Sequence, residues 1–125
     1  MKKQLLLSAS VLFLLSVFSS CFRDHDVSIY VSDSEDVYRM KAKYRKNQTL
    51  AVQRFLDEEF RDDNIISFKN SSVDEEIILD DDTRFYINSR PGKLKIQIDK
   101  TENTEESYNK IKAVCEDIKV LLAEN

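Results

Sequence analysis

The residues of this chain with chemistry to offer are runs of carboxylates, strings of alternating lysine and arginine, one histidine and two cysteines. The acidic runs Asp33-Ser34-Glu35-Asp36, Asp57-Glu58-Glu59, Asp62-Asp63, Asp74-Glu75-Glu76 and Asp80-Asp81-Asp82 suggest hard-cation binding. An EF-hand loop needs alternating oxygen ligands, a Gly at its sixth position and a bidentate Glu at its twelfth, and none of these stretches supplies that set. They read as solvated turns and helix surface, with Asp80 to Asp82, at a strand end, the best remaining Ca²⁺ candidate. His25 has Asp24 and Asp26 beside it, the makings of a general base with an orienting carboxylate. It precedes the first patterned segment, where a substrate is hard to hold, and reads as linker. Cys115 falls on an apolar stripe and reads as a small buried hydrophobe rather than a nucleophile.

Composition excludes more. A single Gly rules out a Walker loop or dinucleotide fingerprint, because a phosphate cradle needs several positions where backbone approaches ligand without a Cβ. One His and two Cys rule out zinc sites built from those residues alone. No Ser, Cys or Lys has a base at motif spacing. The expectation is a non-enzymatic chain with no catalytic residue, no metal set and no cofactor.

The basic strings are the more suggestive feature. Arg39, Lys41 and Lys43 alternate with Tyr38, Met40, Ala42 and Tyr44, and Lys93 and Lys95 alternate with Leu94, Ile96 and Ile98. If the apolar residues turn to a core, the basic ones emerge together on the opposite face, with Tyr30 and Tyr86 candidates to join them. Such a face would hold an anionic lipid headgroup, a glycan acid or an acidic protein. The plainer reading is a solvated sheet face whose lysines guard the edges against aggregation.

The elements that must position these residues follow from periodicity. Val27, Ile29 and Val31 alternate with polar residues, Asp33 to Asp36 is turn-rich, and the Tyr38–Arg45 alternation completes an antiparallel hairpin. Val52, Phe55, Leu56 and Phe60 recur at helical spacing, predicting a helix to about Arg61, with Asn47 or Thr49 as cap. From Ile65 to Asp82 the pattern is weak, with Ile77-Ile78-Leu79 a short strand candidate. Phe85 and Ile87, then Leu94, Ile96 and Ile98, form a second hairpin around the loop Asn88-Ser89-Arg90-Pro91-Gly92. Tyr108, Ile111, Val114, Cys115, Ile118, Leu121 and Leu122 make the stripe of a final helix ending near Ala123, capped by Asn103 or Thr104. The two halves share the order strand, turn, strand, helix; an offset of 56 sets Tyr30 on Tyr86, Met40 on Ile96 and Phe55 on Ile111. The predicted fold is α+β: an antiparallel sheet of four or five strands, in the order ββα(β)ββα, with both helices on one face.

Ahead of this domain, Lys2 and Lys3 precede an apolar run from Leu5 to Phe18. That is the length of a signal-peptide h-region and short of the roughly 20 residues a spanning helix needs. The run ends in Val17-Phe18-Ser19-Ser20-Cys21, which resembles the lipobox of bacterial lipoproteins: an apolar residue, here Phe18 where Leu is usual, two small residues and a Cys. The resemblance implies that Cys21 receives a diacylglycerol and that cleavage removes residues 1–20, leaving a new amine that is often acylated in that family. It also implies a lipid-anchored location in the bacterial cell envelope, with the outer membrane expected and its side left open. Residues 21–26 become a lipidated tether and 27–125 a single domain. From Cys21 to Val27 the chain reaches at most roughly 20 Å, so the domain rides close to the bilayer.

Loss of Lys2 and Lys3 takes the basic residues from 19 to 17 against 23 acidic ones, a formal −6. An acidic domain argues against nucleic acid as a partner, since phosphate neutralisation needs a basic surface. The leading expectation is a lipid-anchored module that binds a protein or an anionic envelope component through Arg39, Lys41, Lys43, Lys93 and Lys95. The alternatives are an accessory or assembly factor, or an inhibitor of an envelope enzyme, acting through loops such as Asn88 to Gly92, and last an enzyme on an envelope substrate.

Overall fold

Alternation at period two builds the first hairpin of the computed structural model, which describes residues 26–61 and 67–124. Strands β1 (Ser28–Asp33) and β2 (Val37–Lys43) pair antiparallel across a turn closed by Ser34, whose hydroxyl accepts from the Val37 N–H at 3.1 Å. Helix α1 (Thr49–Glu59) follows a short 3₁₀ turn. Residues 67–70 run back along this helix and lead into a meander of β3 (Val73–Ile78), β4 (Arg84–Arg90) and β5 (Lys93–Asp99), before α2 (Glu105–Glu124) closes the fold. All neighbours in the sheet are antiparallel, in the order β1-β2-β5-β4-β3.

One face of the sheet carries the core. Tyr38, Met40 and Ala42 of β2, Leu94, Ile96 and Ile98 of β5, and Phe85 and Ile87 of β4 are buried with Val52 and Leu56 of α1 and Ile111, Cys115, Ile118 and Leu122 of α2. The expected α+β architecture therefore holds, with five strands.

The two halves superimpose in register as well as in order. Adding 56 carries β2 onto β5, and the first residue of α1, Thr49, onto that of α2, Glu105. The pairing of Tyr30 with Lys41 becomes that of Tyr86 with Gln97, and the pairing of Val37 with Asp99 becomes that of Lys43 with Lys93. Met40 opposite Ile96 maps onto itself, so an approximate twofold axis stands normal to the sheet at that pair.

Several local expectations are corrected. The second hairpin has no five-residue loop: Asn88, Ser89 and Arg90 continue β4, and the turn is Pro91-Gly92 alone. Gly92 has φ +74°, its N–H donates to Thr49 Oγ1 at 2.9 Å, and a Cβ there would stand 3.0 Å from the Tyr44 carbonyl oxygen. Thr49 is thus used by the turn rather than as a helix cap. Asp74-Glu75-Glu76 is not turn or helix surface but lies inside the outer strand β3, which starts four residues earlier than Ile77. Thr104 caps α2, accepting from the Ser107 N–H at 3.1 Å. Asn103 instead ties the end of β5 to the start of β4, through Arg84 and the Asp99 carbonyl. The predicted signal segment 1–20, Cys21, His25, Asp62-Asp63, Ile65 and Ile66 lie outside the described residues.

Candidate functional site

Strand parity decides what the uncovered face of the sheet presents. With Tyr38, Met40 and Ala42 turned to the helices, Arg39, Lys41 and Lys43 must point the other way, and pairing sets the equivalent residues of every other strand beside them. Ser28, Lys43, Lys93 and Arg90 make one row across β1, β2, β5 and β4. Tyr30, Lys41, Lys95, Asn88 and Asp74 make the next, and Ser32, Arg39, Gln97, Tyr86 and Glu76 the third. All five basic residues expected on this face, Arg39, Lys41, Lys43, Lys93 and Lys95, are therefore brought together. Tyr30 joins them at 57% exposure, and Tyr86 lies half-buried across β5.

The electrostatics of the rows differ. Arg39 donates from Nε to Gln97 Oε1 at 2.8 Å, so that cross-strand pair is satisfied. Lys41 faces Lys95 and Lys43 faces Lys93, and among the described residues no carboxylate pairs with any of the four. Like charges directly opposite one another in a sheet oppose folding. The twofold relation supplies an internal comparison: the positions equivalent to Lys41 and Lys95 hold Gln97 and Arg39, and those equivalent to Lys43 and Lys93 hold Asp99 and Val37. The same backbone sites accept compatible pairs at one end of the sheet and lysine pairs at the other, so the fold itself does not call for the lysines.

Around the lysines the face is organised by β4. Lys95 Nζ sits 5.6 Å from the centroid of the Tyr86 ring, a cation–π contact. The Tyr86 hydroxyl donates to Asp74 and accepts from Asn88 Nδ2 at 3.3 Å, while Arg90 Nε donates to Asn88 Oδ1 at 3.2 Å. Arg90 and Asn88 were hidden in the sequence because Asn-Ser-Arg-Pro-Gly has turn chemistry. Extending the parity of Arg84 and Tyr86 by two further steps would have placed both on this face.

Charge is also sorted along the strands. The end at which the chain enters β1 carries Lys43, Lys93 and Arg90, with Lys46 just beyond. The far end gathers the Asp33–Asp36 turn, the Asp80–Asp82 turn, Asp99 and Glu102, and the first turn of α2 with Glu105 and Glu106. Asp33 accepts hydrogen bonds from Lys100 and Tyr108 and lies 3.6 Å from Lys112. The Lys100 hydrogen bond, foremost, holds its carboxyl below the usual range.

The other candidates do not assemble into chemistry. Asp81 accepts from the Thr83 N–H at 3.1 Å and from Lys110 Nζ at 3.2 Å, a turn-closing role. Among the described residues no group of three or more His, Cys, Asp or Glu converges as metal ligands. Cys115 is fully buried, and burial pushes its thiol up to about 12, far from the thiolate that a nucleophile needs. The Asn88–Gly92 loop, named as an example for an assembly or inhibitor role, is a two-residue turn of Pro91 and Gly92. Among the described residues no helix is long and apolar enough to cross a membrane. No protein-family model, no curated protein and no solved structure matches this chain, so a functional reading stands on the chemistry of this open face.

Proposed function

We propose that this chain is a bacterial envelope lipoprotein, anchored by lipid on Cys21, whose domain binds an anionic component of the envelope through the open face of its sheet without catalysing a reaction. The observation that carries the binding half is the pairing of Lys41 with Lys95 and of Lys43 with Lys93. Unpaired like charges held side by side in a mature chain of formal charge −6 cost stability, and residues that break a local rule without structural return mark function. An anionic group placed between them relieves the repulsion, at about 1 kcal/mol per basic residue near an anionic surface. The lipobox-like Val17–Cys21 segment supports the anchor half, as two or three acyl chains hold a protein on a bilayer durably.

The two halves are tested separately. Cys21→Ala should leave the precursor uncut and unlabelled by radioactive fatty acid; normal labelling of that variant sinks the anchor. Lys41→Glu with Lys95→Glu should abolish capture of the domain on immobilised anionic lipid and glycan arrays. Unchanged capture removes the face from consideration.

A further inference from the structure

The row Ser28, Lys43, Lys93, Arg90 runs across four strands, about 14 Å at the spacing of strands in a sheet. Ser28 is also where the chain enters the sheet. Only six residues separate it from Cys21, a span of at most about 25 Å when fully extended. The chain thus joins the sheet at its basic end, while the acidic turns sit at the opposite end of the strands. Asp26 lies two residues ahead of Ser28, and Asp74, opposite Asn88 in the adjacent row, accepts from the Tyr86 hydroxyl.

A short lipid tether fixes distance but leaves a domain free to tumble. The potential of an anionic bilayer falls off within a Debye length, about 8 Å at physiological salt, so it acts on whichever end of the domain comes closest. A domain polarised along its strands takes one orientation in that field. We infer that Lys43, Lys93 and Arg90, backed by Lys41 and Lys95, dock on the phosphate-bearing headgroups of the same membrane that holds the acyl chains. The strands then stand upright, with the acidic turns presented away from the bilayer. This rests on the anchor at Cys21, and it goes beyond that reading by naming the ligand, lipid phosphate, and the pose. A glycan acid or an acidic protein bound by the same lysines would leave them uncovered on a bare vesicle.

The lipoprotein is extracted from membranes and reconstituted into vesicles of phosphatidylcholine alone and of phosphatidylcholine with roughly a third phosphatidylglycerol, and lysine acetylation rates are followed by mass spectrometry. Lys43 and Lys93 should react about fivefold more slowly on the anionic vesicles, the factor expected per basic residue held at the surface. Lys110 and Lys112, paired with Asp81 and Asp33 at the far end, should react alike on both. Salt at about 1 M, where the Debye length is about 3 Å, should erase the difference. Equal rates at Lys43 and Lys93 on the two vesicles overturn the inference. So does protection that extends to Lys110 and Lys112, or protection seen only when soluble polygalacturonate is added to phosphatidylcholine vesicles. The N-terminal peptide in the same spectra separates the two levels of argument. A bare Cys21 defeats the anchor and the pose together, whereas a lipidated Cys21 with unprotected lysines defeats the pose alone.

Discussion

Cys115 and Gly92 show what single residues contribute to this fold. The Cys115 thiol is buried among apolar side chains of α2 and the sheet, and its acidity is suppressed first by lost hydration and then by Glu116. The folded thiol keeps its proton up to about 12, whereas an exposed one releases it near 9.0. Folding therefore holds the proton more tightly, and its stability should fall as pH rises through that interval. Iodoacetamide at pH 8 should leave Cys115 of the native protein unmodified and label it once urea unfolds the chain; rapid native labelling contradicts the burial argument. Gly92 answers a different constraint, since its φ of +74° and the 3.0 Å approach of the Tyr44 carbonyl both make a Cβ strained. Gly92→Ala should cost at least about 1–2 kcal/mol in urea unfolding, from left-handed strain before any clash is added. Ser89 is buried with a hydroxyl that finds no partner among the described residues. Ser89→Ala should accordingly stabilise rather than destabilise, by up to about 1 kcal/mol.

Elements with a clean period and strong punctuation were legible from sequence, and those that depend on distant partners were not. The alternation around Met40 and Ile96, with the polar turn at Asp33–Asp36, was enough to place β1, β2 and β5 and to put five basic residues on one face. Of β3 only the Ile77–Ile78 end was legible, because it is an edge strand: Val73 and Ile77 reach the core, but Glu75 between them is exposed, so the alternation is broken. The return segment 67–72 was not legible because its conformation is imposed by a helix. Gln53, buried on α1, accepts from the Asn70 N–H at 3.1 Å, and Asp57, one turn on, accepts from the Phe68 and Lys69 N–H groups at 2.6 and 3.2 Å. No residue in 67–72 announces those bonds. Asp57→Ala should remove about 1.5–3 kcal/mol, since hydrogen bonds to a charged acceptor are at stake, and should speed amide exchange at 68–69 while leaving β2 and β5 protected. The lysine pairs supply a prediction of the opposite sign. Lys43→Glu turns a like-charged cross-strand pair with Lys93 into an attractive one, so it should raise stability by about 0.2–1 kcal/mol. The same change should weaken binding to anionic vesicles, a gain and a loss that only a functional lysine produces together.

Across the whole molecule, the carboxylates of strengthened acidity and the proposed binding row lie at opposite ends of the strands. The carboxylates whose acidity is strengthened, Asp33, Asp81 and Asp99, all lie at the end away from Ser28, with Lys100 the main cause for the first, Thr83 for the second and Thr101 for the third. Each is held ionised below its ordinary value of 3.8. The stabilisation they bring is complete above that value and is lost as pH falls through their lowered folded values. Acidification should therefore open the molecule from one end. Between pH 4 and pH 2, amide exchange should accelerate first in the Asp33–Asp36 turn, the Asp80–Thr83 turn and the start of α2. The Lys43–Lys93 end, where among the described residues neither lysine pairs with a carboxylate, should keep its protection longest. Cation–π contacts of Lys100 with Tyr108, at 4.6 Å, and of Lys112 with Tyr108, at 5.7 Å, survive protonation of Asp33. The opening should accordingly be a graded loosening of turns rather than collapse of the sheet. Exchange that rises uniformly along β2 and β5 over the same pH range would show that the two ends are not energetically separate, and would remove the basis for assigning binding to one end and acid-sensitive stability to the other.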